Sequence, residues 1–309
     1  MKKDYNKIHI ASLGNINLDL PVIQVGKGKP KVIIVNNVHG NEQSGFYVLE
    51  KFLKLLPGNI KGAITIVSSA NPLGLINRSR LTSVDSVDLN RGYPAFYKER
   101  GVSSLIKDKL IEIGMAHDVI FDIHSFNNPC LSAGIIIEQK NLKNKKIMNK
   151  SLQVLNTDIS ISLAENSEEK RVASSYTAYL ASQGKIAFGV EYPPASNIDN
   201  KQIEAYASGL INMCSEVGLC EPGEDSRGAS LPVFQRQQVI YLSSGLFVPD
   251  KELGDKVKKN DVIGNMINIE TLKKEQVMSG YSGVVIEIAE QKFCLPGEKI
   301  ATVGKKYSK

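Results

Sequence analysis

The stretch "KVIIVNNVHGNEQSGFYVLEKFLKLL", Lys31 to Leu56, joins an apolar run to a segment of helical period through a short polar bend. "KVIIVNNV" (31–38) reads as a strand and "SGFYVLEKFLKLL" (44–56) as a helix, so the stretch is one strand-to-helix unit of an α/β sheet. The bend between them carries His39 and Glu42, with Gly40 following the histidine. An i, i+3 spacing brings the two side chains to a common side of a turn, at the exit of a strand.

The pattern repeats outward from this unit. Strands are expected over 62–69, 118–125, 133–139 and 185–192, each rich in Val, Ile or Phe, and helices over 103–116, 146–156, 173–184 and 199–218. The alternation predicts an α/β fold with a mixed, mainly parallel sheet and helices on both faces. The segment 70–100 has neither period, and a long irregular segment inside a compact domain is usually functional. After Gly218 the texture changes: "CEPGEDSRGASLP" (220–232) reads as a linker, and short β-like runs separated by turn signals follow it. Two domains are therefore expected, residues 1–220 and a small all-β domain over 221–309.

Bulk properties narrow the function. The 309 residues are 42% apolar and 23% charged, an ordinary globular composition. No apolar run approaches the roughly 20 residues that cross a bilayer, so no membrane role is expected. The N-terminal "MKKDYNKIHIASLGNINLDLPV" lacks the continuous apolar core of a secretory signal, which makes the cytoplasm the expected location. Cys130, Cys214, Cys220 and Cys294 form no CxxC pair and read as reduced, buried thiols. The net charge of +6 comes from scattered lysines and short stretches such as 140–146 and 256–260. Without Trp or aromatic–basic interleaving, nucleic acid is not an expected partner, whereas a small anionic substrate suits the charge.

In open α/β sheets, functional groups gather beyond the carboxyl ends of the strands. His39 and Glu42 follow the first strand, His124 ends the strand in "FDIHS", and Glu191 ends the one in "GVEYPP". Two imidazoles and a carboxylate are the ligand set of catalytic zinc sites that keep one position open. Asp122 shares a strand face with His124 and can accept the free N–H of an imidazole. Within the irregular segment, "NPLGLINRSRLTSVDSVDLNRGYP" (71–94) gathers Arg78, Arg80 and Arg91 with Asn90, and a guanidinium fork suits a carboxylate. The prolines after Tyr192 restrict the backbone and would aim Glu191 inward, while Tyr93 and Tyr192 read as packing residues.

Taken in order, "HGNE", "NPLG", "RSR…DLNR", "DIHS" and "GVEYPP" resemble the zinc carboxypeptidase superfamily over about residues 30–215. The nearest branch is the succinylglutamate desuccinylase/aspartoacylase group of N-acyl amino acid amidohydrolases. The resemblance implies one zinc ion (Zn2+) on His39, Glu42 and His124, with Glu191 as general base toward a metal-activated water. It implies further that Asn90 and Arg91 hold the substrate's α-carboxylate and that Arg80 polarises the scissile carbonyl. The spacing to "DLNR" is longer than in aspartoacylase-like sequences, so Arg78 competes for that place. The expected substrate is a small anionic N-acyl amino acid, the acyl group and amino acid staying open because loops such as 126–133 and 165–172 shape the pocket.

Two rival readings remain. A zinc carboxypeptidase uses the same chemistry on peptides but needs an open cleft. A noncatalytic carrier is the third, since "IETLKKEQVMSGYSGVVIEI" (269–288) resembles the hairpin of lipoyl- and biotinyl-carrier domains with Lys273 at the modified position. Leu272 and Lys274 replace the methionines that flank a biotinyl lysine. The resemblance therefore implies a barrel-sandwich cap that leans over the cleft.

Overall fold

The computed structural model describes residues 2–94, 101–138, 142–164, 173–221 and 231–307. The opening unit forms as read: β3 (Lys31–Asn36) is buried at every position after Lys31, as a strand covered on both faces must be, and α1 (Ser44–Leu55) lays Val48, Leu49 and Phe52 into the core. Two strands precede it, β1 (Lys3–Leu13) and β2 (Ile16–Gly26), and β4 (Ala63–Val67) and the short helix α2 (Pro72–Ile76) follow. Then come α3 (Val102–Met115), β5 (Val119–Ser125), β6 (Ala133–Glu138), α4 (Lys145–Gln153) and β7 (Ile159–Ala164). After these lie α5 (Tyr176–Ser182), β8 (Ile186–Tyr192) and α6 (Asn200–Glu216).

The rest is β structure. It comprises β9 (Val233–Tyr241), β10 (Gly245–Pro249), β11 (Lys256–Val257), β12 (Val262–Ile267), β13 (Lys274–Met278), β14 (Gly283–Ile288), β15 (Lys292–Cys294) and β16 (Glu298–Lys306). One sheet has twelve strands in the order β1-β2-β4-β3-β5-β8-β6-β7-β9-β16-β14-β11, and a second has the order β13-β12-β10-β15. From β4 through β8 the neighbours run parallel, while β6 meets β8 antiparallel and β7 parallel. The α/β class with a mixed sheet is thus as the alternation predicts. The helices pack in two groups, α1, α4 and α6 together and α3 with α5.

Three features differ from the expectation. The β1–β2 hairpin and β7 are additional strands, and the irregular segment contains α2, too short to show a period. The loop 165–172, residues 95–100 of the irregular segment and most of the linker lie outside the described residues.

The carboxyl-terminal strands continue the large sheet. β7 and β9 pair in parallel register, Ser160 with Val233 and Ile161 with Phe234. Phe234 and Ile286 share a core cluster with Phe126, Ile137 and Ile161. A separate cluster around Phe247, Ile263, Met266, Val285 and Ile300 fills the space between the two sheets. All four cysteines are buried free thiols. Among the described residues, no helix is long and apolar enough to cross a membrane.

Candidate active site

The bend after β3 is built by its neighbours. Asn37 adopts φ 57°, a left-handed conformation that Asn tolerates, and its side-chain amide donates to the carbonyls of His39 (2.9 Å) and Glu42 (3.0 Å). The Glu42 N–H closes the turn on the His39 carbonyl at 3.1 Å. Gly40 is required by contact: a Cβ there would lie 2.0 Å from the carbonyl carbon of Gly74. Asn71 caps α2 by accepting from the Gly74 N–H at 2.8 Å and donates its amide to the Val38 carbonyl at 3.2 Å. "NPLG" is therefore the brace against which "HGNE" bends.

That bend meets the ends of β5 and β8. His124 pairs in register with Glu191, and both line one cavity of about 340 Å³ with His39 and Glu42. Glu42 lies between the imidazoles: His39 Nδ1 is 2.7 Å from Oε1 and His124 Nδ1 is 2.9 Å from Oε2, while the Ser125 N–H donates to Oε2 at 3.0 Å. The outer imidazole nitrogens also have acceptors. His39 Nε2 is 3.1 Å from Asp88 and His124 Nε2 is 2.8 Å from Asp122.

The arrangement fits a divalent ion. One donor atom from each of His39, Glu42 and His124 lies within 4.8 Å of the others, and all three residues are buried. Carboxylates on the outer nitrogens turn both inner nitrogens toward the common point, as oriented imidazole ligands require. Burial opposes ionisation of Glu42, but the charges of His39 and His124 outweigh it and hold the carboxyl well below its usual range.

Around this cluster the predicted partners take distinct places. Arg80 donates from Nε to Asp88 at 3.1 Å, and its Nη1 approaches Glu42 at 3.5 Å. Arg91 lines the cavity and is held by its own neighbour, Nη1 donating to the Asn90 carbonyl at 2.7 Å. Asn90 accepts the Tyr176 N–H at 2.9 Å, which fixes its amide group 3.0 Å from His124 Nε2. Arg78 is not brought in. It follows the end of α2 at φ 49°, exposed and outside the cavity lining. Tyr93 and Tyr192 are packing residues: Tyr192 stacks on Tyr206 with ring centroids 4.5 Å apart, and Tyr93 packs against Tyr176 at 5.6 Å.

Glu191 is half-buried at the cavity wall. Burial and, next, the Glu42 carboxylate push its carboxyl up from the ordinary range. His124, Arg236 and His39 act in the opposite direction, as a cation on the cluster would.

Several residues in or beside the site are absent from the sequence expectation. Asp88, which joins His39 to Arg80, had a signal in "VDLNR", two residues before Asn90. Arg236, Gln238 and Lys299 come from β9 and β16, and nothing local in the sequence ties them to the histidines.

The sequence profile of the succinylglutamate desuccinylase/aspartoacylase catalytic domain matches residues 28–217. The chain belongs to this family. No curated protein matches it. Solved structures of the succinylglutamate desuccinylase/aspartoacylase type share its fold from end to end. A succinylglutamate desuccinylase/aspartoacylase from Rhodobacter sphaeroides superposes with TM-score 0.83 at 17% identity, covering 100% of this chain and 96% of the other. An aspartoacylase family protein from Mesorhizobium loti gives 0.80 at 21% identity, covering 100% and 95%. The product-bound ectoine utilization protein EutE (DoeB) from Ruegeria pomeroyi gives 0.83 at 18% identity, covering 98% and 95%.

Proposed function

We propose that this desuccinylase/aspartoacylase family member is a zinc-dependent amidohydrolase that removes the acyl group from a small N-acyl amino acid. The observation that carries the reading is the buried His39–Glu42–His124 cluster sharing one cavity with Glu191. His39, Glu42 and His124 would hold the ion. When bound, it would supply Lewis acidity toward water and the acyl carbonyl.

The chain's own groups do the rest. Glu191, at the strand end beside His124, takes a proton from the attacking water and returns it to the leaving amine. A carboxyl raised by burial is suited to hold that proton between the two steps. Arg80, steadied by Asp88, faces the cluster with a fixed cation that offsets negative charge growing on the carbonyl oxygen. Asn90 and Arg91 hold the substrate's carboxylate, so binding energy becomes positioning. Asp122 and Asp88 orient the imidazoles.

Arg236, Gln238 and Lys299 wall the cavity from the side of the carboxyl-terminal strands. A walled space of this size supports a small substrate over a peptide, which favours the acylase over the carboxypeptidase. The test is a panel of N-acyl amino acids and short peptides, assayed after metal stripping and after zinc return. Zinc-restored release of free amino acid from the N-acyl compounds alone is expected. Turnover restricted to peptides would replace the reading with the carboxypeptidase.

A further inference from the structure

Glu287 is the one charged residue of β14, "GVVIEI", and it is fully buried. A carboxylate in such a place is costly unless its oxygens are satisfied. Here they are: Oε1 accepts from Asn128 Nδ2 at 3.1 Å, and Oε2 accepts from Lys299 Nζ at 2.5 Å and Thr302 Oγ1 at 2.6 Å. Both charged partners sit at irregularities of the ladder. The β14–β16 register shifts between Val285 and Glu287, and the β16–β9 register shifts between Lys299 and Ala301. Bulges of this kind re-aim side chains.

They aim at the segment behind the second imidazole. Residues 126–131 follow His124 and Ser125 directly and lie along β14: the Leu131 N–H donates to the Ile286 carbonyl at 2.9 Å, the Ile288 N–H donates to the Pro129 carbonyl at 3.1 Å, and Cys130 bridges Glu287. The near end of the segment carries Phe126 and Asn127, both in the cavity wall. Asn127 accepts from Asn41 Nδ2 at 2.6 Å, inside the His39–Glu42 bend. Lys299 also lines the cavity, its Nζ 5.0 Å from the Phe126 ring centroid.

We infer that Glu287 is a positioning residue of the active site: it docks segment 126–131 on the carboxyl-terminal strands and fixes Lys299 against Phe126, so that these strands set the substrate-facing wall. Its effect on substrate rests on the proposed hydrolase reading, whereas its effect on the segment does not. The ligand bend has its own braces in Asn37 and Asn71, neither of which bonds to Glu287.

The test compares Glu287→Gln and Thr302→Val with the unaltered protein. Four quantities are read: amide hydrogen exchange across 126–131, zinc affinity by competition with a chromophoric chelator, and kcat and KM on the best N-acyl amino acid of the panel. Glu287→Gln is expected to speed exchange in 126–131 by roughly tenfold relative to β3 and to raise KM by roughly tenfold. Zinc affinity and kcat should stay within about threefold. Thr302→Val, which leaves the ion pair, is expected to move exchange and KM in the same direction and less. Unchanged exchange in 126–131, or a fall in global stability with KM unaltered, overturns the inference. If the unaltered protein hydrolyses nothing in the panel, the hydrolase reading fails and the exchange data alone decide the role of Glu287.

Discussion

Glu42 and Glu191 are carboxylates in one cavity with different surroundings, and the difference underlies the separate roles proposed for them. Glu42 touches both imidazoles and the Ser125 N–H, so Glu42→Ala is expected to lower zinc content measured after gel filtration. Glu191→Gln should retain the metal and lower kcat by about 10²- to 10⁴-fold, the range for loss of a general base. Equal metal loss in both would undo the division. The arginines separate in the same way. Arg80→Ala is expected to cost about 10²- to 10³-fold in kcat, as for removal of a group that stabilises a developing oxyanion, while Arg78→Ala should change little. Asp122→Asn should weaken zinc binding about 10- to 100-fold by chelator competition, because it no longer holds the imidazole as a carboxylate does. At this scale the sequence was informative because strand ends bring side chains together by rule, and His39, Glu42, His124 and Glu191 all stand at such ends. Asp88 was harder to see, since its value lies in reaching two residues, His39 and Arg80, that only the folded loop brings to it.

The elements are tied by close approach as much as by period. Gly40 and Gly74 touch backbone to backbone, so Gly40→Ala forces the bend away from α2 and is expected to destabilise by about 3 kcal/mol in denaturant titration, with zinc affinity falling in parallel. An unchanged affinity would mean that the ligands do not depend on this contact. The expected helices and strands formed within a few residues of their predicted limits because Val, Ile and Phe runs and helical periods mark them directly. β7 had a signal too, the strict alternation of Ile159, Ile161 and Leu163 with Ser160 and Ser162. α2 had none in its period, and only Asn71 as a cap with Pro72 after it marks a helix start.

At the scale of the molecule, the long-range pairing of β7 with β9 is the link that local patterns do not reveal. α5, β8 and α6 lie between them in the chain, and parallel partners so far apart leave no turn signature. Its consequence is mechanical. A chain ended at Glu221 would leave β7 as an open edge and uncover Phe126, Ile137 and Ile161, which pack against Phe234 and Ile286. Such a fragment is expected to aggregate or to bind a hydrophobic dye strongly, and the full chain to melt in one calorimetric transition with residues 231–307 included. Two well-separated transitions, with a soluble fragment that retains zinc, would show that the first part holds its site unaided. The cavity argues for the single transition, because Arg236, Gln238 and Lys299 line the same space as Glu191 and the imidazoles, and a cavity lined by both parts loses its shape when either is loosened.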